Sequence, residues 1–178
     1  TLRQVDLPED QGRPLRIAVP ALPSGAASAG ELLALIDQPE GTARAVVLLL
    51  HGLGGSSSRE GLRRMGIALK QAGFLVLRLN LRGADPGRHL AGGTYAARCN
   101  SDLLPVIARA RDLAAGRPLL GAGISLGGTM LLNACLTGTG VLDGLFCASS
   151  PLDLAACSAS IERPRNRVYQ RWLLRRLV

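Results

Sequence analysis

The segment "PLLGAGISLGGTM", residues 118 to 130, decides the fold. An apolar run from Pro118 to Ile124 passes through Ser125 into a second apolar stretch that begins at Leu126. The first half lacks polar–apolar alternation, the pattern of a strand buried on both faces of a parallel sheet. The second half, "SLGGTMLLNACL", reads as a helix behind that strand. Gly123 and Gly127 flank Ser125 as G-x-S-x-G. A strand turning directly into a helix strains the residue at the corner, and small neighbours let the helix and adjacent strands approach closely. The Ser125 hydroxyl is then left at the tip, before a helix N-terminus that favours negative charge.

About seventy residues earlier stands a second strand end of the same kind, "ARAVVLLLHGLGG", residues 43 to 55. Its apolar run, Ala45 to Leu50, stops at His51, Gly52, Leu53, Gly54 and Gly55. An acyl-transfer site needs two donors for the developing oxyanion. The backbone N–H of Leu126, next after the serine, and that of Leu53 are the candidates. Two glycine-rich strand ends in this order are far more specific than either alone.

The rest of the chain fits this frame. "LRIAVP" (15 to 20) and "LLALID" (32 to 37) are strand candidates separated by a Pro/Gly/Ser/Ala loop. Ser56, Ser57 or Ser58 is expected to cap a helix that Gly73 closes, and "FLVLRLN" (74 to 80) follows as a strand. A helix is expected from about Tyr95 to Ala115, and "LDGLFCASS" (142 to 150) is a further strand. Asp153 is placed to cap the segment starting at Leu154. Alternation of strands and helices predicts a single α/β domain, a mostly parallel sheet with helices on both faces and right-handed crossovers.

Composition bounds the function. At 178 residues, with 47% hydrophobic and 19% charged residues, the chain suits one domain with a real core. An aromatic share of 3% argues against base-stacking platforms, so no nucleic-acid partner is expected. The net charge of +8 comes from twenty arginines and Lys70. Most are scattered; those in "IERPRNRVYQRWLLRRLV" (161 to 178) read as a solvated basic helix, with a docking surface as the alternative. Cys99, Cys135, Cys147 and Cys157 show no metal-ligand spacing, so neither a metal nor another cofactor is expected. Free cysteines and the lack of a membrane-length apolar run predict a cytoplasmic protein without a transmembrane segment.

The segments "LLLHGLGGSSS", "VLRLNLRG", "GISLGGTMLL", "SSPLDLAAC" and "RNRVYQRWLLRRL" together resemble the YheT-like branch of the α/β-hydrolases, from about residue 40 to the end. The resemblance implies a carboxylic-ester hydrolase acting on an acyl lipid or small ester. It implies Ser125 as nucleophile, His51, Gly52 and Leu53 as the oxyanion loop, and Asn80, Arg82 and Gly83 as a motif bracing the loop after the next strand. "TYAARCNSDL" departs from the pattern by carrying Ala96 where a histidine is expected.

Triad order in this fold is nucleophile, acid, histidine. After Ser125 the acids are Asp143, Asp153 and Glu162, and no histidine follows. His51, between a buried strand and a glycine loop, is expected to bond backbone rather than serve as base, and His89 is expected on the surface. The chain opens at Thr1 and stops within an amphipathic run. In the resembled family the acid and histidine lie downstream of a lid, so the resemblance implies the N-terminal portion of a hydrolase, inactive alone, with residues 161 to 178 starting the lid. Two other readings stand beside it. One is a non-catalytic module that kept the fold. The other is a nucleotide-binding domain built on Gly121, Gly123 and Gly127; Asp143 lies twenty residues past Gly123, but at the start of its strand rather than at the carboxyl end where a ribose-binding acid belongs.

Overall fold

The computed structural model describes residues 7–22, 25, 27–98, 100–138 and 140–177. Among the described residues six strands form one sheet: β1 (Arg13–Val19), β2 (Gly30–Asp37), β3 (Val46–Leu50), β4 (Leu75–Leu79), β5 (Leu119–Ile124) and β6 (Gly144–Ala148). Their spatial order is β1-β2-β4-β3-β5-β6. β1 and β2 pair antiparallel as a hairpin, β2 lies antiparallel to β4, and β4, β3, β5 and β6 run parallel. The α/β architecture expected from the sequence is present.

All five residues of β3 are buried, and they divide between two layers. Val46, Leu48 and Leu50 join the larger core, beneath α2 (Asn100–Ala114) and α3 (Leu126–Cys135). Val47 and Leu49 face the smaller core, to which α1 (Glu60–Gln71) contributes Leu62. A strand with cores on both faces has no solvent side, which is why the run carries no polar residue. Burying each such Leu contributes about 1.5–3 kcal/mol.

Registers bring the parallel strand ends into line. Leu50 stands opposite both Leu79 and Gly123, and Ile124 opposite Ala148. His51, Asn80, Ser125 and Ser149, the residues just beyond those strands or one further, therefore gather along one rim of the sheet. Past this rim run α4 (Leu154–Ile161) and α5 (Arg167–Leu177). Asp153 caps α4, its carboxylate accepting the Ala156 N–H at 2.9 Å. β6 forms one edge of the sheet, and Phe146 on it is 60% exposed.

Two local expectations are corrected. No serine caps α1; the N-cap is Arg59, whose side chain makes no capping bond. Ser57 is instead drawn into the interior, its N–H donating to Asn80 Oδ1 at 2.9 Å and its carbonyl accepting from Arg78 at 2.7 Å. The helix expected from Tyr95 begins at Asn100. Tyr95 is held in the preceding loop, its N–H donating to the Arg82 carbonyl and its hydroxyl accepting the Gly54 N–H. Cys99, singled out in the sequence, lies outside the described residues. No described helix is long and apolar enough to cross a membrane.

Candidate active site

Ser125 stands between β5 and α3 with φ +52° and ψ −125°. Positive φ is strained for a residue with a Cβ, and the surroundings hold it there. Its N–H donates to the Ala148 carbonyl at 2.8 Å, and its carbonyl accepts from Gly128 N–H at 3.0 Å and Thr129 N–H at 3.3 Å. The glycines are required by space. A Cβ at Gly123 would overlap the backbone of Gly127 and Gly128, and one at Gly127 would overlap the His51 carbonyl. Any side chain at either position would push α3 off the sheet.

The glycine loop after β3 comes to the same point. A Cβ on Gly52 would stand 2.9 Å from the Ser125 Cβ and 3.6 Å from its Oγ. Leu53, Ser125 and Leu126 line one groove of about 420 Å³, whose far wall is built from Leu154, Ile161 and Leu173 of α4 and α5. Among the described residues neither Leu53 N–H nor Leu126 N–H has a hydrogen-bond acceptor. The groove thus brings together Ser125, the two residues expected to supply the backbone donors, and an apolar wall.

His51 is fully engaged elsewhere. It is 3% exposed; Leu81 N–H donates to its Nε2 at 3.2 Å and its Nδ1 lies 2.8 Å from the Gly52 carbonyl. These partners assign the neutral Nδ1–H tautomer, with the Nε2 lone pair occupied. Burial lowers its pKa to about 4, against a smaller opposing effect of the Gly52 carbonyl. The ring meets Tyr95 edge-on, with centroids 5.7 Å apart. His51 therefore ties the glycine loop to the segment that follows β4. His89 is exposed on the 3₁₀ turn Arg88–Leu90. Among the described residues no histidine bonds the Ser125 hydroxyl.

The acids that follow Ser125 are dispersed. Asp143 precedes β6 and accepts the Leu119 N–H at 2.7 Å, at the amino end of β5. That is the sheet rim opposite Ser125, so Asp143 cannot be the ribose-binding acid of a nucleotide fold, and that reading is dropped. Asp153 caps α4, and Glu162 lines the groove near α5.

Behind the site lies a polar lattice that the sequence analysis identified only in part. Asn80 supports Ser57, as above. Arg82 is buried and bidentate to Asp102, at 2.6 and 2.9 Å, and also donates to the carbonyls of Gly92 and Pro20. Gly83 beside it adopts φ +77°, which a side chain would strain. Three members were missed: Arg78, Tyr95 and Asp102. Arg78 binds Asp37 and Asp10 as well as the Ser57 carbonyl. Burial opposes its charge, yet the two carboxylates outweigh burial and raise its pKa, while Arg78 lowers that of Asp10. A signal existed. Residues 77 to 82 read L-R-L-N-L-R, a period-two alternation that puts Arg78, Asn80 and Arg82 on one side.

The class of protein follows from fold and relatives. An alpha-beta serine hydrolase homologue from Coxiella burnetii matches with a TM-score of 0.61 at 18% identity, over 82% of this chain and 67% of its own. A probable hydrolytic enzyme from Pseudomonas aeruginosa gives 0.65 at 16% identity, over 84% of this chain and 45% of its own. At such identities the likeness shows the α/β-hydrolase fold. The family model described as Serine aminopeptidase, S33 (Hydrolase_4) matches residues 41–177, and the chain belongs to that family. Phospholipase ABHD3 from Mus musculus is 33% identical over 138 residues, which is 76% of this chain and 32% of that protein. The chain spans about a third of the length of the curated relatives it matches.

Proposed function

We propose that this chain carries the nucleophile and oxyanion hole of a serine hydrolase that cleaves carboxylic esters, either acyl lipids or small esters. The observation that carries the reading is the packing of the Gly52–Leu53 loop against Ser125 at its strained corner. In this reading Ser125 Oγ attacks the ester carbonyl, and the N–H groups of Leu53 and Leu126 hold the oxyanion. The groove walled by Leu154, Ile161 and Leu173 receives the acyl chain, so α4 and α5 act as the first part of a lid. The tetrahedral intermediate collapses as the alcohol departs with the proton taken from Ser125. Water then cleaves the acyl-enzyme ester to release the acid and restore Ser125, with no metal or cofactor in the chemistry. His51 and Asn80 serve the reaction only by fixing the glycine loop. The proton from Ser125 goes to a histidine, backed by an acid, in a form of the protein that carries both. The YheT-like motifs and the similarity to a phospholipase support the ester and lipid class. The free thiols of Cys135, Cys147 and Cys157 suit a cytoplasmic setting.

An ester assay on three proteins tests the proposal: the full-length form, its Ser125→Ala variant, and this 178-residue chain. The full-length form should turn over medium-chain esters, Ser125→Ala should lose at least about a thousandfold, and the short chain should be nearly inert. Equal activity of Ser125→Ala and parent would remove the nucleophile. An inert full-length form would favour a non-catalytic module.

A further inference from the structure

The outer surface of α5 is at odds with a helix that merely faces water. Val168 is 82% exposed, Trp172 47% and Tyr169 51%, and the two rings stack with centroids 5.9 Å apart. With Arg165 and Asn166 they line a shallow groove of about 500 Å³. Residues 154 to 177 hold six arginines and a single carboxylate, Glu162. Arg171 and Arg175, both exposed, lie on the same side of α5 as Val168 and Trp172 by helical spacing.

We propose that this surface docks the protein on an anionic lipid bilayer. Trp and Tyr place an apolar body and a polar edge at the depth where headgroups meet acyl chains. Arginines beside them meet the negative headgroups while their stems stay against apolar surface. A basic helix with exposed aromatic and aliphatic residues is the pattern of a segment lying in the interface plane. The charge excess selects this occupant: a second copy of the surface would set arginines against arginines. Nucleic acid would satisfy the charge but gives no reason to expose Val168. The surface also adjoins the Ser125 groove, because Tyr169 lines both. Docking would bring the groove wall to the bilayer, where an acyl chain can move across without passing through water.

Trp172 is the sole tryptophan, so its fluorescence reports docking directly. The chain is titrated with vesicles of phosphatidylcholine mixed with phosphatidylglycerol, and with phosphatidylcholine alone, and co-sedimentation is repeated with the full-length form. Anionic vesicles should shift the emission to shorter wavelength and pellet both proteins, with at least about tenfold weaker binding to phosphatidylcholine. The double variant Arg171→Gln/Arg175→Gln should melt like the parent and bind anionic vesicles roughly thirtyfold more weakly. Ser125→Ala should bind like the parent, so failure of the nucleophile assignment leaves this surface standing. No shift, no pelleting, equal binding to both vesicle types, or binding unchanged by the double variant would overturn the proposal. So would a shift produced by duplex DNA or by self-association when vesicles produce none.

Discussion

Gly52 and Ser125 are in contact across two strand ends, so close that a methyl on Gly52 would lie 2.9 Å from the Ser125 Cβ and 3.1 Å from the Ile124 carbonyl. The two segments must move apart to admit any side chain at 52. In Gly52→Ala the loop is therefore expected to shift away from Ser125, at a cost of about 1–3 kcal/mol. Ester turnover should fall by more than about tenfold, because oxyanion donors act only at hydrogen-bond distance. Gly61→Ala is the control. Gly61 sits in α1 with nothing within 4 Å of its Cβ position, and alanine there should be neutral or gain up to about 1 kcal/mol. Thermal melts and initial rates on both variants check this; equal behaviour would contradict it.

Tyr95→Phe removes one hydroxyl and keeps the ring against His51. The Gly54 N–H, now 2.7 Å from that hydroxyl, would lose its acceptor. The expected destabilisation is about 1–3 kcal/mol, from a partly buried donor left unpaired. Turnover should fall mainly through kcat, since the loop presenting Leu53 loosens while the groove wall of Leu154, Ile161 and Leu173 is untouched. A change confined to KM would place Tyr95 in substrate binding instead.

The strand pattern was legible because buried strands, glycine breaks and helical runs are local signals. The corner at Ser125 and the glycine loop at Gly52 were legible for the same reason, each being a short run whose residues need one another. The polar lattice was not. Arg78 meets Asp10 and Asp37, sixty-eight and forty-one residues away, and Tyr95 meets Gly54 forty-one residues away. Such partners depend on how strands stack, which no local window contains. The serine-rich stretch failed as a cap for a related reason. Ser57 is claimed by Asn80 and Arg78 from β4 and its end, a tertiary demand that overrides capping preference.

His51 makes stability depend on pH. Its folded pKa, about 4, lies below the ordinary 6.5, so between these values the unfolded chain binds the proton and the folded protein does not. Stability is therefore full above about pH 6.5 and is lost progressively as pH falls to about 4, by about 3 kcal/mol in total. Asp10, whose pKa is lowered by Arg78, adds a loss only below the ordinary carboxylate range. Urea denaturation in small pH steps should show the His51 slope in the parent and its disappearance in His51→Gln. A parent whose stability is flat through that interval would mean that His51 is not buried and neutral as described.

The most direct measurement is the site of the covalent acyl group. The full-length form is mixed with excess p-nitrophenyl ester, quenched in acid during the first turnover, digested and analysed by mass spectrometry. One acyl adduct is expected on the peptide containing Ser125, with p-nitrophenol released in step and no adduct in Ser125→Ala. An adduct on any other residue, or hydrolysis that persists in Ser125→Ala, would contradict Ser125 as the nucleophile.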